Sequence, residues 1–185
     1  MNAKCSLALV ASFSCVLWID VCCWSTPVLA RRAADEAQEA IIGRCIHEAA
    51  GGQLWLERTL WGLRDQEAGW IGAEIANANG THDLGPLQIN SFWIKPLARL
   101  TQRPPDKVRQ WLTGDACFNV QAARWIFLAG LRTSKTYWQA VGAYHSPTSS
   151  RQAKYADAVA RKLRKRFGIE VFPVTSDQPL SREEL

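Results

Sequence analysis

The sequence predicts a mainly helical single domain with a small hairpin at its centre. Three observations carry that expectation. Apolar residues recur at helical spacing in several separate stretches. Gly and Pro break the chain between those stretches, as at Gly51-Gly52, Pro104-Pro105 and Gly168. One segment alone, from Asn77 to Asn90, is rich in turn residues and then alternates polar with apolar side chains.

The elements follow in order. Met1 to Ala30 reads as a secretory signal: Lys4 is its basic start, Leu7 to Ile19 its apolar run, and Val28-Leu-Ala30 a small-residue cleavage pattern. Asp20 ends the apolar run short of the ~20 residues a membrane span needs. No lipoprotein-type box precedes a cysteine, so lipidation is not expected. Residues 31–168 then form the domain, and a chain of 185 residues is long enough to give it a sizeable core. Ala33 to Ala50, rich in Ala and Glu, is the first helix. Gln53 to Ala68 is the second, with Gly69 as its stop. Ser91 is expected to cap a short helix over Trp93 to Leu100. Pro104-Pro105 starts another over Asp106 to Leu112. Asp115 caps a buried helix whose Val120, Ala123, Phe127 and Leu131 share one face. Trp138 to Tyr144 is a short helix. Arg151 to Phe167 is the last, with Tyr155, Val159 and Leu163 along one side and Gly168 at its end. The hairpin is expected within Thr81 to Ile89, and 169–185 as a loose tail.

Four of the six cysteines leave with the signal, and Cys45 and Cys117 remain. An even count in an exported chain argues for a disulfide. The three histidines, His47, His82 and His145, show no metal-ligand spacing, so no metal site and no cofactor are expected. The net charge of +5 survives loss of the signal, because Lys4 and Asp20 cancel. A basic exported protein suits an anionic cell wall. The run Arg161-Lys-Leu-Arg-Lys-Arg166 lies at a helix C-terminus, where cations are favoured, and reads as a solvated face rather than a nucleic-acid site.

The candidate chemistry starts at Glu67. Leu56, Leu60 and Leu63 share one helix face, and Glu67 is the next position on it. A carboxylate that ends a leucine stripe stands at the wall of the core. Burial and the negative end of the helix dipole both disfavour its charge and raise its pKa. That suits a general acid near neutral pH. Downstream, Gln88 and Asn90 alternate with Leu87 and Ile89, which points two amides toward one cleft. Amides, Asp83 and the flanking Trp70 and Trp93 suit a sugar, which needs directional hydrogen bonds and flat apolar surfaces.

Glu67-Ala-Gly, Asn79-Gly-Thr-His-Asp-Leu-Gly-Pro-Leu-Gln-Ile-Asn-Ser91 and Ala143-Tyr-His145 together resemble the lytic transglycosylase domain of the lysozyme superfamily. The likeness is greatest to the small transglycosylases that accompany bacterial secretion, conjugation and pilus systems, and it covers roughly Cys45 to Phe167. It implies a lysozyme-like α+β fold and peptidoglycan as substrate. Glu67 takes the family's catalytic place. Gly85, Leu87 and Gln88 fall on its Gly-Leu-Met-Gln motif and Tyr144 on its Ala-Tyr-Asn motif. This chain departs with Ala68 for the usual Ser, Pro86-Leu87 for Leu-Met, and His145 for Asn. The resembled group often carries a cysteine pair at the places of Cys45 and Cys117.

Resemblance and local pattern thus put Asp83, Gly85, Leu87, Gln88, Asn90, Tyr144 and His145 around the substrate. The expected reaction is cleavage of the MurNAc-GlcNAc bond with formation of a 1,6-anhydro sugar, by one glutamate. Asp83 keeps an alternative open, because an aspartate opens a similar string in animal-type lysozymes and is their second catalytic carboxylate. A non-catalytic wall-binding scaffold is a third reading. A periplasmic monomer is expected, with an uncleaved signal holding it at the membrane as the alternative, serving a secretion, conjugation or pilus apparatus and binding no nucleic acid.

Overall fold

A computed structural model describes residues 26–171, with the side chains of 31–171. The export signal expected over 1–30 and the tail expected over 169–185 therefore lie mostly outside the described residues. Among those described, no helix is long and apolar enough to cross a membrane.

Among the described residues, seven helices and one small sheet follow one another: α1 (Thr26–Ala50), α2 (Leu54–Glu67), β1 (Glu74–Ala76), β2 (His82–Leu84), β3 (Ile89–Asn90), α3 (Ile94–Thr101), α4 (Pro105–Gly114), α5 (Ala116–Thr133), α6 (Tyr137–His145) and α7 (Ser149–Phe167). Single 3-10 turns cover Ser91–Trp93 and Ile169–Val171. This is the mainly helical, lysozyme-like plan that the sequence led us to expect. Among the described residues, those from Asp35 to Val171 belong to one compact unit. Cys45 of α1 and Cys117 of α5 are joined by a disulfide, with Cα atoms 4.8 Å apart.

The core of the compact unit is one cluster. Ile42 and Ile46 enter it from α1, Leu56, Leu60 and Leu63 from α2, and Val108 and Leu112 from α4. Val120, Ala123, Phe127 and Leu131 of α5 are all buried, as their spacing requires. Tyr155, Val159 and Leu163 of α7 face the same core. Where α2 meets α7, Gly62 lets the backbones close up. A Cβ there would stand 2.8 Å from Leu163 Cγ and 2.9 Å from Val159 Cγ1.

Several element boundaries differ from expectation. α1 begins at Thr26 rather than Ala33. α2 stops one residue before the expected glycine: Ala68 itself takes the left-handed conformation (φ 51°), and its N–H closes on the Arg64 carbonyl. Gly69 serves another purpose, described below. Asn90, not Ser91, caps the turn into α3, its side chain accepting from the Phe92 N–H at 3.0 Å. Ser91 Oγ instead accepts from the His82 N–H. The sheet has three antiparallel strands in the order β1-β2-β3, with Ile75 opposite Asp83 and Asp83 opposite Asn90. β1 was hidden in the sequence because all three of its residues are exposed and show no alternation. The first residues of the expected loose tail are ordered as a turn, with Val171 buried and its carbonyl accepting from Arg58.

Candidate active site

A groove of about 1230 Å³ runs between the sheet side of the unit and the α5–α7 side. Glu67, Asp83, Gln88 and Asn90 line it from one side, and Tyr144 and His145 from the other. Six of the eight non-cysteine residues singled out from sequence therefore meet at one surface.

Glu67 is the last residue of α2 and is half-buried. Burial pushes its carboxyl up to about 7, and the nearby charge of Asp83 pushes the same way. A short hydrogen bond from the Tyr155 hydroxyl opposes both, because it favours the carboxylate. Both protonation states are thus populated near neutral pH. A carboxyl that must donate a proton and then take one back needs that balance.

Tyr155 is the residue that sequence reading left in the core. It is 5 % exposed and belongs to the apolar face of α7. Burial and the neighbouring Glu67 raise its hydroxyl well above the usual tyrosine range, so it remains a donor. The signal for it in the sequence is a hydroxyl placed among Val and Leu, since a buried Tyr normally finds a partner. Which partner it finds is a matter of fold.

Gly85 and Leu87 lie off the groove wall. Leu87 is fully buried, and its carbonyl accepts from the Tyr144 hydroxyl at 3.0 Å. Gly85 makes the turn possible: it sits at φ 68°, and a Cβ there would be 2.2 Å from the Leu112 carbonyl oxygen. Gln88 also takes a positive φ of 47°, and its amide folds back to donate to the Gly85 carbonyl at 2.8 Å. The same carbonyl excludes any side chain at Gly69, where a Cβ would stand 2.3 Å away. The turn over 85–88 is thereby pressed against the chain just after Glu67. From the other side it is held by Asn119 of α5, which is fully buried and which sequence reading missed.

Asp83 is not bonded to its own turn. It lies in β2, and its Oδ1 accepts from Asn90 Nδ2 at 2.9 Å across the strand pair. Asn90 Nδ2 also donates to Thr81 Oγ1 at 2.9 Å. One amide thus fixes both Asp83 and the rim. Of the two tryptophans expected at the cleft, Trp93 lines it and Trp70, 52 % exposed, does not. Phe92 takes the second place, 69 % exposed on the groove. The late basic run stays outside the groove, and its Arg166 is tied to Asp65 and Glu39 and stacked over Trp61 at 3.9 Å.

No family model matches the chain. It is similar to the invasion protein IagB of two Salmonella typhimurium strains and of Salmonella typhi, at 30 % identity over 105 residues in each case. The matched stretch is 56 % of this chain, and the chain spans 62 % of the length of these relatives.

Proposed function

We propose that this protein is a peptidoglycan lytic transglycosylase. The observation that carries the reading is the state of Glu67: one carboxyl, held near neutrality by burial, on an open groove of about 1230 Å³. The motifs around it, which resemble those of the transglycosylases, supply the substrate class.

The protonated Glu67 gives its proton to the glycosidic oxygen, and the bond between that oxygen and the anomeric carbon of muramic acid breaks. The positive charge that develops there faces Glu67, now anionic, and Asp83. The carboxylate then takes the proton of the sugar's own 6-hydroxyl, whose oxygen bonds to the anomeric carbon. No water is consumed, and Glu67 ends as it began. Tyr155 eases the middle of this cycle, because its hydrogen bond is strongest to the charged carboxylate. Gln88 offers its amide to the sugar and Asn90 holds Asp83 in place, while Phe92 and Trp93 offer flat apolar faces.

Asp83 favours a second reading. It shares the groove with Glu67, and its charge bears on that carboxyl. A hydrolytic lysozyme would use it as the second carboxylate and release a reducing sugar. Digesting purified peptidoglycan and weighing the released muropeptides decides between the two. Products ending in 1,6-anhydromuramic acid, lighter by one water, establish the transglycosylase; reducing ends establish the hydrolase. Binding without either product, unchanged in Glu67→Gln, means a wall-binding scaffold. The setting we propose is the periplasm, after export, where the protein opens the wall for a secretion or conjugation apparatus. Its similarity to proteins named for invasion supports that role.

A further inference from the structure

We infer that His145 is a positioning residue that acts on Glu67 through Tyr155. The imidazole lies flat on the Tyr155 ring, with centroids 4.7 Å apart and planes 3° from parallel. Tyr144 stacks on the same ring at 6.5 Å and 28°. His145 is itself exposed on the groove, whereas Tyr155 is almost fully buried. The imidazole therefore separates the Tyr155 ring from solvent at the very side where substrate enters.

The consequence follows from what Tyr155 does. Its hydroxyl is the side-chain donor to Glu67, and a directional bond of this kind depends on ring orientation. A flat ring stacked on one face restricts that orientation. Removing the ring loosens the bond, so the carboxylate loses its donor and Glu67 holds its proton more tightly. The other titratable groups on this groove are Asp83 from β2, Tyr144 from α6 and Arg151 from α7. None of them stands in the stack on Tyr155 except Tyr144, whose hydroxyl is already given to the Leu87 carbonyl.

The inference rests on the reading of Glu67 as the acid, and its test needs no substrate. The Glu67 carboxyl is titrated by carbon-13 NMR in wild type, His145→Ala, His145→Phe and Tyr155→Phe. His145→Ala is expected to raise the Glu67 midpoint by about half a pH unit. His145→Phe, which keeps a flat ring but no charge, is expected to restore it. In the Tyr155→Phe background, His145→Ala is expected to add nothing, because the hydroxyl through which it acts is gone. Wherever wild type is active, kcat should follow the same pattern with KM little changed. An unshifted midpoint in His145→Ala overturns the inference. So does a shift that persists without the Tyr155 hydroxyl, or a phenylalanine that behaves like alanine, since either means that the imidazole acts by its charge. If wild type releases no sugar product, the functional reading fails while the titration still decides this one.

Discussion

Asn119 holds Leu87 in place: its Oδ1 accepts the Leu87 N–H at 2.9 Å, and its Nδ2 donates to the Leu84 and Leu112 carbonyls at 2.8 Å each. One buried amide thereby satisfies three backbone groups, on β2, on the turn after it and on α4, and fixes the turn that carries Gln88. Asn119→Leu keeps the shape and orphans all three groups. The expected loss is about 3 kcal/mol of stability, since each unsatisfied buried polar group costs about 1–3 kcal/mol. Urea denaturation measures it, and a loss under 1 kcal/mol would show that the amide is dispensable. Asn119→Asp should not rescue, because it keeps the acceptor and loses both donors.

The raised carboxyl of Glu67 makes stability depend on pH. Its folded value of about 7 lies above the ordinary 4.5, so between those values the folded state binds more protons than the unfolded state. Stability therefore falls as pH rises from about 4.5 to about 7, and the penalty is complete above that. Glu67→Gln carries no charge and escapes it. The variant is expected to be more stable than wild type at pH 8, by roughly 1–2 kcal/mol, and to lose that advantage below pH 5. Paired melting curves at the two pH values check the sign.

Removing the disulfide should cost more than any surface change. Cys45 and Cys117 are 72 residues apart, and closing a loop of that size restricts the unfolded chain by about 4 kcal/mol in the chain-entropy account. The Cys45→Ala, Cys117→Ala double variant is expected to unfold at correspondingly lower urea, and reductant should carry wild type to the same midpoint.

Phe92 stands exposed at the groove, its ring meeting Trp93 edge to face at 5.6 Å. Phe92→Ala should raise KM for glycan roughly threefold to tenfold, the worth of one stacking contact, and leave kcat within about twofold. A fall in kcat alone would place Phe92 in the chemistry instead of in binding.

The readable parts of this molecule are those that a local period can express. A leucine stripe that ends in a carboxylate shows Glu67, and the i, i+3, i+4 pattern of α5 shows its buried face. The alternation from Leu87 to Asn90 shows which side chains turn inward: Leu87 and Ile89 are buried, and Gln88 and Asn90 line the groove. What stays hidden depends on distance along the chain or on backbone geometry. Tyr155 is 88 residues from Glu67, and nothing near either one names the other. Asn119 sits in a helix whose pattern explains every neighbour and says nothing of three backbone groups elsewhere. Gly69 looks like a helix stop, yet α2 stops without it, and its missing side chain makes room for the Gly85 carbonyl. Such a packing need is invisible until the fold is closed.

Glu67 and the hydroxyl that tempers it stand 88 residues apart in the chain. During synthesis the ribosome delivers Glu67 long before Tyr155, and the groove has no far wall until α6 and α7 emerge. A chain ending between Glu67 and α7 would keep the carboxyl and lose the hydroxyl that bonds it. On the proposed function, the carboxyl and the hydroxyl that tempers it come together only once α7 has packed against α2.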